Sequence, residues 1–147
     1  MVKSSQQKIN SMENTSLSGA EAFAGVILAV AAADHDIADE EIKCIHVTLS
    51  RMRLFEGWSS EQYNAMFDKL TDILNTQESK TLLEMSIDSL PPELYETAFT
   101  ISVDVVLSDG VVTREERDFI SKLQQKLNVG NRLAAKILEV ILIKNRG

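Results

Sequence analysis

An acidic pattern occurs twice in this chain, and the spacing between its copies constrains the fold more than any other feature. Residues 33–42 read A-D-H-D-I-A-D-E-E-I and residues 108–117 read S-D-G-V-V-T-R-E-E-R. The offset is 75 residues, from Asp34 to Asp109 (109 − 34). It extends beyond the motif, pairing Glu21 with Glu96, Val30 with Val105, Ile37 with Val112, Glu40 with Glu115 and Ile45 with Ile120. Each copy follows an apolar run and precedes an amphipathic stretch, so each is a helix–helix corner in one of two related units, about 18–75 and 92–145. Internal similarity at a fixed period is the signature of a repeated supersecondary unit.

The periodicity between the corners is helical throughout. Ser18 with Glu21 forms a capping box, in which hydroxyl and carboxylate each accept a backbone N–H, and predicts a helix over 18–33. Its content, F-A-G-V-I-L-A-V-A-A-A, is apolar on nearly all sides, which requires neighbours all round. Further helices are expected over 39–51, 60–74, 77–89 with Thr76 as cap, 92–107 opened by Pro92, 113–127 and 131–144. Helices 18–33 and 92–107 are the expected centre. Residues 52–59 form a loop carrying Phe55, Gly57 and Trp58, whose aromatic rings either lid the core or present a docking surface. Residues 1–17 are polar and are expected as a flexible N-terminal tail. The expected fold class is all-α, with about seven helices in one bundle over 18–147.

Composition excludes several functions. A net charge of −7, from 22 acids against 15 bases, lacks the basic footprint that nucleic-acid binding requires. Cys44 is the single cysteine, so no internal disulfide can form. Residues 1–18 lack the apolar run of a secretory leader, and Ala22–Ala33 is too short to span a bilayer. The expectation is a cytoplasmic protein without membrane insertion.

The corners admit two chemical readings. Asp34 and Glu41 are seven residues apart, as are Asp109 and Glu116. If each hairpin folds back sharply, its two carboxylates approach one another and offer hard oxygen ligands to Ca²⁺, Mg²⁺ or Mn²⁺. The loops are not EF-hands, since the glycine at loop position 6 and the bidentate glutamate at 12 are missing. The competing reading is helix capping. Glu116 follows Thr113 by three, and Glu40, Glu41 and Glu115 sit in first turns where the helix dipole favours acids.

Other polar groups carry weaker signals. Cys44 and His46 point about 200° apart on a helix and do not form a soft-metal set; a core thiol and a surface or interfacial histidine are expected. Asp104 interrupts an apolar stretch, as a boundary residue or as an extra ligand lining a cleft. No nucleophile constellation and no phosphate-cradling glycine loop occurs, and the expectation is a protein that is not an enzyme.

The two corners resemble the A-D-G-x-[IV]-x-x-x-E pattern of the TerB-like, tellurite-resistance protein B family, over about residues 18–145. The first copy departs from it at His35, where the family usually has glycine. The resemblance implies an all-helical binding module with an acidic, cation-binding face, linked to tellurite and stress responses. By position the metal ligands fall on Asp34, Glu41, Asp109 and Glu116. A protein partner is expected, with self-association into a homodimer as an alternative. A purely structural or adaptor domain, whose acidic corners only cap helices, is the competing function.

Overall fold

The computed structural model describes residues 16–33, 37–108 and 112–146. Among them are seven α-helices and two short 3-10 turns, with no strand. The helices are α1 (Gly19–Ala31), α2 (Asp39–Ser50), α3 (Ser60–Thr76), α4 (Ser79–Ser89), α5 (Tyr95–Val106), α6 (Arg114–Lys126) and α7 (Asn131–Lys144). The protein is an all-α bundle. No helix among the described residues is long and apolar enough to cross a membrane.

α1 is the axis of the bundle. Ser18 and Glu21 form the reciprocal cap expected of them, with Ser18 N–H donating to Glu21 Oε1 at 2.9 Å and Glu21 N–H to Ser18 Oγ at 3.2 Å. Every residue from Ala22 to Ala31 is buried. Burial of this kind removes the whole apolar perimeter from water, at about 25 cal/mol per Å² of apolar surface. The most extensive neighbour of α1 is α4, followed by α5. α4 belongs to the segment outside the repeat, so the main partner of the central helix comes from the insertion between the two units. α5 is less central than its apolar content implies. It buries Ala98, Phe99, Ser102 and Val103 and leaves Ile101, Val105 and Val106 at the margin.

The 75-residue offset survives in the helix boundaries. α1 ends at Ala31 and α5 at Val106, while α2 begins at Asp39 and α6 at Arg114. Ile45 and Ile120 are both buried. Phe23-Ala24 of α1 corresponds at this offset to Ala98-Phe99 of α5, and all four are fully buried. The large and small side chains exchange places between the two helices.

Two local expectations are corrected. Thr76 does not cap α4. It is the last residue of α3, and its hydroxyl donates back to the Asp72 carbonyl at 2.9 Å, while Glu78 occupies the N-cap position. The segment after Pro91 starts as a 3-10 turn, Pro92–Leu94, before α5 begins at Tyr95. The last two residues of the segment expected as a tail are held against the bundle: Leu17 is buried, and Lys69 Nζ donates to the Ser16 carbonyl at 3.0 Å. Residues 1–15 lie outside the described residues.

The aromatic loop closes the core. Arg53–Phe55 forms a 3-10 turn, Phe55 is buried, and the half-buried Trp58 meets its ring edge-on at 5.0 Å between centroids. Tyr63 and His46 extend the cluster, their rings 4.4 Å apart. At the other end, α7 is tied to α5 through Asp104. Lys144 Nζ donates to Asp104 Oδ1 at 3.1 Å, and Asn145 Nδ2 donates to Asp104 Oδ1 at 3.0 Å and to the Leu107 carbonyl at 3.2 Å.

Candidate acidic site at the helix corners

The second corner delivers its helix through a complete cap. Thr113 N–H donates to Glu116 Oε1 at 3.0 Å, and Glu116 N–H donates to Thr113 Oγ1 at 3.1 Å. The first corner has half of this device. Ala38 N–H donates to Glu41 Oε1 at 3.3 Å, but alanine has no side-chain acceptor for the N–H groups of the first turn. Both glutamates therefore sit at the third position of their helices, where sequence spacing places them. Asp34, His35, Asp36, Asp109, Gly110 and Val111 lie outside the described residues, so the aspartate halves of the two candidate pairs do too.

The start of α2 and the end of α5 line one cavity. A cavity of about 320 Å³ is lined by Glu40, Glu41 and Cys44 of α2 and by Val105 and Ser108 at the end of α5. Ser108 immediately precedes Asp109 in the chain. The start of the helix that leaves the first corner thus faces the end of the helix that enters the second. Glu116 stands at the start of α6, occupied in its own cap. Glu40 is exposed and Glu41 half-buried. Carboxylates and a hydroxyl are the ligand types that hard cations take, whereas the Cys44 thiol beside them is a soft ligand.

Asp104 lines the neighbouring cavity of about 190 Å³, together with Cys44, Thr48, Ser108 and Asn145. It stands half-buried at the edge of the core, the boundary position that was one of its two readings. Its carboxylate is committed to Lys144 and Asn145, so it works as a tether between α5 and α7. Cys44 is exposed, which corrects the expectation of a core thiol, and His46 packs against Tyr63 with the rings tilted at 41°. Among the described residues, no three of His, Cys, Asp and Glu are grouped so as to hold a metal ion. Sequence reasoning missed Ser108 and treated Glu40 only as a favourable first-turn charge. The facing of the corners was not legible in the spacing of either motif, because it depends on how α2 packs against the end of α5.

The chain matches no family model, and no curated protein or solved structure matches it.

Proposed function

We propose that the chain is a non-enzymatic binding module of the TerB-like kind, linked to tellurite and stress responses, whose acidic corners together take up a divalent cation. The observation that carries this reading is the shared cavity: Glu40 and Glu41 from the first corner and Ser108 from the second line the same wall. Acids gathered in one place repel one another, and a cation between them relieves that repulsion. Ca²⁺, Mg²⁺ or Mn²⁺ would be held by Glu41 with Asp34 and Asp109, and Glu116 would serve the same face from the start of α6. Two or three carboxylates give weak affinity alone, so water and backbone carbonyls complete the shell.

A second reading has its own support. The reciprocal Thr113–Glu116 box gives that carboxylate a structural task, which favours an adaptor domain whose corners only cap helices.

Cation titration separates the two. A ligand bound only by the native state raises stability, by about 2.7 kcal/mol at a hundredfold excess over its Kd. Under the cation reading, millimolar Ca²⁺, Mg²⁺ or Mn²⁺ raises the melting temperature of the native chain. The double variant Asp34→Asn with Asp109→Asn removes the rise, and so does Glu41→Gln, whose amide oxygen can still accept the Ala38 N–H. An unchanged melting temperature with all three cations discards the cation reading and leaves the caps.

A further inference from the structure

α4 and α6 stand on either side of the C-terminal end of α1 and leave a groove of about 450 Å³ between them. Its floor is apolar. Leu83 and Leu123 are sunk into it, 7% and 1% exposed, and the partly buried Phe119 forms one side. Its rim is cationic: Lys80 comes from α4, and Lys122 and Lys126 from α6. All three lysines are exposed, and none forms an ion pair with another described residue. The described residues that line the groove include no carboxylate. The chain carries 22 acids against 15 bases, so three lysines with no carboxylate among the described lining residues run against its overall charge.

We propose that this groove docks an acidic amphipathic peptide segment of a protein partner, with an aliphatic side chain entering between α4 and α6 and flanking Asp or Glu residues meeting the lysines. The inference does not rest on the cation reading, since it uses different residues, of opposite charge. The floor accepts an aliphatic side chain, as in helix-in-groove recognition, where apolar anchors recur at helical spacing. Lys122 and Lys126 are one helical turn apart, the spacing at which two carboxylates on a bound helix are also presented. An anionic bilayer is a poorer match, because its surface reaches the lysines but not the recessed Leu83 and Leu123. Nucleic acid lacks the aliphatic group that the floor would bury.

The test uses the full chain and a displayed library of helical peptides of about 15 residues, roughly four turns. Leucine is fixed at one anchor position, and the flanking positions are randomised over Glu, Lys, Ser and Ala. Enriched peptides should be acidic, and their affinity, read by fluorescence anisotropy, should fall with rising salt. The triple variant Lys80→Glu, Lys122→Glu, Lys126→Glu should weaken binding at least about tenfold, equivalent to about 1.4 kcal/mol. Circular dichroism and the melting temperature verify that this variant folds. Phe119→Ala, in which the three lysines are kept, should also weaken the enriched peptide. Enrichment of basic or neutral sequences, no enrichment, or affinity unchanged by the triple variant overturns the proposal. So does preferential binding to vesicles of phosphatidylserine and phosphatidylcholine that the acidic peptide fails to displace.

Discussion

Gly25 of α1 lies directly against Ser86 of α4, so close that a Cβ at position 25 would overlap the serine hydroxyl. Glycine has no Cβ to obstruct this approach, and the two helices that make the most extensive contact in the bundle meet there. Ser86 Oγ is buried, and it has no hydrogen-bond partner among the described residues.

Gly25→Ala is expected to destabilise the protein by about 1–3 kcal/mol, the usual cost of overpacking, despite the better helix propensity of alanine. Ser86→Ala alone should be neutral or stabilising, because it deletes an unsatisfied buried hydroxyl. Combining the two should recover only part of the loss, since the Ser86 Cβ would remain 3.2 Å from the new methyl. Urea unfolding of the two single variants and the double variant measures the coupling. Simple additivity of the two effects would show that the hydroxyl is not the obstacle.

The two corners differ in one capping atom, and this gives a paired prediction. Ala38 and Thr113 occupy equivalent N-cap positions, yet only Thr113 has an oxygen for the first turn. Ala38→Ser should complete the box with Glu41 and stabilise by about 0.5–1 kcal/mol, whereas Thr113→Ala should cost about 1 kcal/mol. Thermal melts of both variants decide it, and a loss of stability in Ala38→Ser would contradict the geometry.

Glu21 gives the stability a dependence on acid pH. Burial pushes its carboxyl up, but the Ser18 N–H and the Lys69 ammonium together outweigh burial and hold it below its ordinary value of 4.5. Lys69 Nζ lies 3.1 Å from Glu21 Oε1. A depressed folded value means that the contribution is present above pH 4.5 and is lost as pH falls through the folded value. Glu21→Gln can keep the cap but loses the ion pair. The native chain should exceed this variant in urea midpoint at neutral pH, and the gap should close on acidification. A gap of the same size at both ends of the titration would remove Glu21 from the pH dependence.

Much of the helical layout was legible in the residues. Ser18 with Glu21, Ser59 with Gln62 and Thr113 with Glu116 mark helix starts because a capping box satisfies backbone donors within one turn. Thr76 misled because threonine can also bond backward to a carbonyl in the preceding turn, and here the end of α3 takes it. The aromatic loop was readable as a lid or a docking surface; contact of Trp58 with Phe55 and Tyr63 decided for the lid. Of the candidate acidic site, the placement of Glu41 and Glu116 at third helical positions was legible, because it is set within one turn. That Glu41 and Ser108 line one cavity was not, because those residues belong to different units.

The sequence alone therefore determined where the boxed helices begin, much of which face turns inward, and that one pattern is used twice. Those properties depend on contacts three or four residues apart. Tertiary structure decided that α4, from outside the repeat, would be the chief partner of α1, with Gly25 set directly against Ser86. It also decided which charges meet. Asp104 is bound to Lys144 and Asn145 from 40 and 41 residues away. Lys80, Lys122 and Lys126 ring one groove because α4 and α6 flank the same end of α1. Such juxtapositions follow from packing between helices, which a period of 3.6 residues does not encode.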